Sequence, residues 1–160
     1  MNEIKKDVRQ FLKKDFWHYI NLGGISYSQL SSPKIDETKT SPTNTNGTEK
    51  SLLKAMDDAE HNKYIAITIL IALKDCTDIE GQRHKSILEN YFINKLDNQA
   101  VAIRVNLTES QYKRQKRKAL YEFIERFSYW RKKRGCNELP VLIYVKKNKK
   151  PSKRGLVPSY

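Results

Sequence analysis

Lys113, Arg114, Lys116, Arg117 and Lys118 all fall within residues 113–118, and no acidic residue lies between Ser110 and Tyr121. Cations at that density bind polyanions, whereas a merely solvated helix face more often mixes its signs. At about 100° per residue, Tyr112, Ala119, Leu120, Phe123, Ile124, Phe127 and Trp130 make one apolar face. Ser110, Gln111, Arg114, Arg117, Lys118 and Tyr121 point away from it, and Lys113 sits at the border. Such an outward face suits the major groove of double-stranded DNA, where Arg pairs with guanine and Gln with adenine, while Lys and Ser bind phosphates. With Thr108 at the helix start, the candidate DNA contacts are Thr108, Ser110, Gln111, Lys113, Arg114, Arg117, Lys118 and Tyr121. Farther on, aromatic and basic residues stand together from Tyr129 to Arg134, offering Arg131, Lys132, Lys133 and Arg134 as secondary phosphate contacts.

Residues that carry catalysis or bind metals are scattered. His18, His61 and His84 have no Cys or His neighbour at ligand spacing. Cys76 and Cys136 stand 60 residues apart, which is neither a zinc pattern nor a disulfide framework, and read as reduced thiols. Asp57, Asp58 and Glu60 share a helix but diverge around it, and no nucleophile elbow or P-loop is present. The chain therefore reads as a non-enzyme without catalytic residues, cofactor or metal.

The basic face needs elements that hold it outward. Asp97 can cap a helix over Asn98–Val105, a tight turn follows at Asn106-Leu107-Thr108, and Thr108 can cap a second helix from Glu109 to about Arg131. A helix-turn-helix over residues 97–121 explains the residue choices. Two steeply crossing helices need a small residue at their closest approach, which Ala102 supplies. The turn needs a left-handed backbone, for which Asn106 is the next best residue after Gly. Leu107 plugs the angle between the helices, and Tyr112 packs the second helix on the first. Two residues fit less simply: Lys116 falls inside the apolar face, so its stem must snorkel, and Gln115 stands where an aliphatic residue is usual. The first two turns are therefore expected to project beyond the core.

Elsewhere the chain reads as mainly α. Apolar residues spaced by three and four predict a helix over Glu3–Asn21, ended by Gly23-Gly24. Residues 26–48 read as a mobile polar linker. Glu49–Asp75 predicts one long helix or two short ones, capped by Thr48 and apolar nearly all round from Tyr64; that face belongs either in a core or in self-association. A polar break over Thr77–Gln82, a short helix over His84–Phe92 and a turn at Asn94–Asp97 follow. Val141–Val145 is a strand candidate that must find a partner, and Lys146–Arg154 reads as a disordered basic arm. The domain reading is thus an N-terminal helix (1–25), a linker (26–48), a helical domain (49–134) and an extended basic tail (135–160).

The charge agrees with this division. The 160 residues carry 31 Lys+Arg against 18 Asp+Glu, a net charge of +13. Residues 1–80 have 11 basic and 12 acidic side chains, and residues 81–160 have 20 and 6, so the excess lies in the second half. The longest nearly apolar run, Tyr64–Leu73, is far short of the ~20 residues of a membrane span. Basic Met1–Lys6 is followed by no apolar run, so a signal peptide is not expected and a cytoplasmic location is.

With these residues in view, the chain resembles the ArpU-type phage transcriptional regulators of Gram-positive bacteria and their prophages. The likeness covers roughly residues 8–145. It is carried by the aromatic helix Phe11–Asn21 with its Gly turn and Ser31-Ser32-Pro33-Lys34, by the linker and the long helix from Glu49, and most specifically by Leu107–Leu120. Tyr112, Arg114, Lys116, Ala119 and Leu120 match the family pattern, while Gln115 and Asn106 depart from its usual aliphatic residue and Gly. The resemblance implies last helices similar to region four of sigma factors, a DNA-binding regulator of late phage genes for packaging and lysis, and no catalytic residues. RNA polymerase and a second copy of the chain are further partners to test, with no membrane involved. The alternative is a module that binds nucleic acid without sequence preference, or docks on polymerase or a packaging protein.

Overall fold

A computed structural model of the chain describes residues 3–30 and 49–146, with side chains given from residue 53 onward in the long helix. Lys5–Asp7 form a strand, β1, and not the first turn of the expected helix. The cause lies at the far end of the chain. There Val141–Ile143, β4, supplies backbone groups that need partners. The two strands pair in parallel, Lys5 opposite Val141 and Asp7 opposite Ile143.

Helix α1 spans residues 8–22 and contains a wide π turn over Phe11–Asp15. Of its buried residues, Val8, Leu12, Phe16 and Ile20 repeat every four positions, and Phe11 is buried beside them. On a plain α-helix such a stripe drifts by about 40° per step, and the wider turn takes up the drift. Gly24, at φ +67°, follows the helix end. A Cβ on Gly23 would stand 2.7 Å from the backbone of Lys63, so glycine here permits close helix approach. Ile25 and the short helix α2 (Tyr27–Leu30) continue the packing, and Leu30 is buried. The segment expected to be a polar linker from residue 26 therefore begins inside the fold. Residues 31–48, with the Thr48 cap and the Ser31–Lys34 segment, lie outside the described residues, as does the basic arm beyond Lys146.

Helix α3 (Glu49–Lys74) is one continuous element. Ile65, Ala66, Ile67, Thr68, Ile69 and Leu70 are all buried. α1 and the last long helix pack against α3, so the all-round apolar stretch is a core helix within this chain. The polar break is a small hairpin, β2 (Asp78–Ile79) and β3 (Gln82–Arg83), turned by Gly81 at φ +85°. Helix α4 spans residues 84–93 and also ends in a π turn. Lys95 takes φ +56° in the turn that follows. Helices α5 (Asn98–Arg104) and α6 (Glu109–Lys133) come next.

The protein is mainly α. One core joins α1, α3, α4 and the second half of α6 with Cys136, Leu139 and Leu142. The N-terminal helix is therefore part of the same body as residues 49–134 and not a separate unit. A smaller core holds Ile87, Val101, Ala102, Val105 and Tyr112. Among the described residues no helix is long and apolar enough to cross a membrane.

Candidate nucleic-acid interface

The α5–α6 segment is positioned by local chemistry. Asp97 caps α5 by accepting from the Ala100 amide at 2.8 Å. Val105 ends it, and Asn106 takes φ +58°, the left-handed backbone that the turn requires. Thr108 caps α6 reciprocally: its hydroxyl accepts from the Gln111 amide at 3.3 Å, and Gln111 Oε1 accepts from the Thr108 amide at 3.0 Å. Such a cap stabilises a helix by about 1 kcal/mol. Glu109 lies in the first turn, near the positive helix end.

Tyr112 locks the second helix to the first. Its ring is buried against Val101, Ala102 and Val105, and its hydroxyl donates to Asn98 Oδ1 at 2.9 Å. Burial pushes that hydroxyl's pKa well above its ordinary value, and Tyr91 and Asp97 push it further. Leu107 packs on the same small core.

Gln115 and Lys116 have clear roles here. Gln115 Oε1 accepts from the Arg83 amide at 3.2 Å and its Nε2 donates to the Gly81 carbonyl at 3.1 Å, so it staples the hairpin to α6. An aliphatic residue could satisfy neither backbone group. Lys116 Nζ donates to Asn98 Oδ1 at 2.8 Å and lies 3.3 Å from the Tyr91 ring centroid. The early turns of α6 are thus braced on one flank by the hairpin and on the other by α4 and α5, and do not project unsupported.

Two turns beyond Gln115, Glu122 anchors the same flank. It accepts from the Thr77 amide and hydroxyl, each at 2.7 Å, and lies 3.0 Å from His84 Nδ1. Burial alone would raise the pKa of this carboxyl, but the bonds from Thr77 and His84 hold it below its ordinary value. Nearby, burial pushes the Cys76 thiol up to about 12, with Glu122 adding to the effect, so it is no nucleophile at neutral pH. Among the described residues no group of three His, Cys, Asp or Glu side chains could hold a metal ion.

The structure brings most of the sequence-predicted contacts onto one surface. Thr108, Ser110, Gln111, Lys113, Arg114, Arg117, Lys118 and Tyr121 are all exposed. Three carry prior commitments. The Gln111 carbonyl closes the capping box, so bidentate pairing with adenine would break the cap. Lys113 pairs with Glu109 at 3.2 Å across solvent. Tyr121 stacks on Tyr144, ring centroids 4.9 Å apart.

The second basic run divides. Lys132 and Lys133 are exposed. Arg131 is 8% exposed, and its guanidinium donates to the carbonyls of Leu139 at 2.8 Å and Asn137 at 3.1 Å. Arg134 lies 4.1 Å from the Tyr64 ring centroid and donates to Thr68 Oγ1 at 2.7 Å. The expectation for Arg131 is corrected, because its side chain is buried and its guanidinium is taken up by backbone carbonyls. Arg134 is half-buried and ties the end of the helix to Tyr64 and Thr68.

Arg9 and Tyr144 stand beside α6, and sequence reasoning missed both. Tyr144 is stacked on Tyr121, and Arg9 lies 4.8 Å from the Tyr144 ring centroid. No spacing rule links positions 9 and 144; only the pairing of β1 with β4 does. Compared with family models, curated proteins and solved structures, the chain shows no match.

Proposed function

We propose that this chain is a sequence-specific DNA-binding transcription regulator. The start of α6 enters the major groove as the second helix of a helix-turn-helix. One observation carries the reading: Ser110, Arg114, Arg117, Lys118 and Tyr121 are exposed together on a capped, braced helix stretch that contains no acid. Arg114 and Arg117 are the base-reading candidates, because a bidentate guanidinium–guanine pair discriminates by about 1–3 kcal/mol. Ser110, Lys113 and Lys118 are the phosphate candidates. Exposed Lys132 and Lys133 extend the electrostatic footprint. The resemblance to ArpU-type regulators extends the proposal to late phage genes for packaging and lysis, acting in the cytoplasm of a bacterial host.

The test is a fluorescence-anisotropy titration at about 150 mM salt, a physiological ionic strength. Duplexes tiled across the DNA next to the gene are compared with a scrambled duplex. Tight binding to one tile supports a regulator. Equal binding to every tile leaves only the electrostatic contribution and overturns sequence reading. On the cognate tile, Arg114→Ala should lose ~10- to 100-fold of its preference over scrambled DNA, with an unchanged unfolding midpoint.

A further inference from the structure

A groove of about 220 Å³ runs along α6, between its outward and its buried faces. Four segments distant in sequence line it: Arg9 from α1, Asn98 from α5, Lys113, Lys116 and Arg117 from α6, and Tyr144 after β4. None of its lining residues is acidic.

Arg9 and Lys116 are held in place. Arg9 donates to the Val145 carbonyl and pairs with Asp7 at 3.5 Å. Lys116 is fixed by Asn98 and the Tyr91 ring. Arg117 belongs both to the groove and to the outward face, so the two surfaces are continuous. Asp7 and Glu109 offset only part of the four positive charges. The lining therefore keeps a net positive charge, and a concave positive surface concentrates anions. Side chains ordered before binding also lose little rotamer freedom on contact.

We infer that this groove seats a phosphodiester of the DNA strand bordering the major groove. The inference rests on the DNA-binding reading above and adds to it a second contact built outside the α5–α6 pair. It gives the β1–β4 pairing a role in binding: joining the two ends of the fold delivers Arg9 and Tyr144 to the flank of α6. The occupant is a nucleic-acid backbone rather than an acidic peptide, because the groove opens directly onto the face assigned to base reading.

The test uses the full chain and two variants, Arg9→Gln, which keeps an amide donor for the Val145 carbonyl, and Lys116→Met, which keeps the stem. Affinity for the cognate and the scrambled duplex is followed from 50 to 200 mM salt. Each lost phosphate contact should lower the slope of log affinity against log salt by about 0.9, so the salt increase weakens the variants roughly threefold less than wild type. The ratio of cognate to scrambled affinity should not change. An unchanged slope in Lys116→Met, with wild type bound to DNA, overturns the groove and leaves the regulator proposal standing. A wild-type chain that binds no duplex overturns both. Thermal unfolding of each variant identifies any loss caused by misfolding; if Arg9→Gln fails to fold, Lys116→Met decides.

Discussion

Helix α6 carries two basic stretches, and the fold uses them in opposite ways. Around residues 113–118, Arg114, Arg117 and Lys118 face solvent. At the other end, Arg131 and Arg134 turn inward onto carbonyls and a tyrosine ring. Composition does not separate the two; their surroundings do. After α6 the chain reverses at Gly135, with φ +69°, and lays the Asn137 and Leu139 carbonyls against Arg131. Buried carbonyls without partners are costly, so a guanidinium within reach is captured. Basic residues in a last turn also complement the negative helix end, which offers nothing to those near the start. Arg114, Arg117 and Lys118 are exposed and make no comparable contact among the described residues, and that makes them the better candidates for binding.

The sharpest way to break this contrast is Arg131→Met. The replacement fills the space of the stem but leaves two backbone carbonyls unpaired. A loss of roughly 2–4 kcal/mol is expected, seen as a drop of on the order of 10 °C in the unfolding midpoint by circular dichroism. DNA affinity of the folded chain should not move. Weakened DNA binding with full stability would return Arg131 to the interface and erase the difference between the two ends.

Glu122 marks where the helix passes from its exposed start into the core, and Glu122→Gln tests that boundary. The bonds from Thr77 and His84 weaken when the carboxylate is replaced, at a cost of about 1–2 kcal/mol near neutral pH. Because its folded pKa is lowered, the carboxylate's contribution is fully present above the unfolded value of about 4.3. It is lost as pH falls through the folded value. Wild type and Glu122→Gln should therefore differ most at pH 7 and converge in acid; a constant gap down to pH 3 would show that charge plays no part.

What could be read from sequence follows the range of the interactions. The α5–α6 pair was legible because its determinants are local: Asp97 and Thr108 as caps, Asn106 at positive φ, Tyr112 against Ala102. The outward set from Ser110 to Tyr121 was legible for the same reason. Val141–Ile143 could be recognised as a strand, but its partner could not, since parallel pairing with Lys5–Asp7 leaves no local mark and the spacing of Ile4 and Val8 fits a helix equally well. The hairpin at Asp78–Arg83 was hidden in a polar stretch with strands of two residues each. Gln115 and Lys116 looked like misfits only while the hairpin, Tyr91 and Asn98 were missing from view. Arg131 and Arg134 looked like phosphate contacts because the carbonyls, hydroxyl and ring that hold them come from other segments.

Lys113→Ala should have the smallest effect on stability and sharpens the comparison from the opposite side. Its partner Glu109 is four residues earlier and both side chains are largely exposed, at 70% and 84%. Water screens such a pair, and Glu109 keeps its favourable place near the positive helix end without Lys113. The unfolding free energy should therefore change by less than about 0.5 kcal/mol. Chemical denaturation resolves that limit, and the salt dependence of DNA binding read on the same protein should still fall by about 0.9 in slope. If Lys113→Ala destabilised the chain as much as Arg131→Met, charge at the start of α6 would be structural too, and the reason for assigning that end to DNA would be gone.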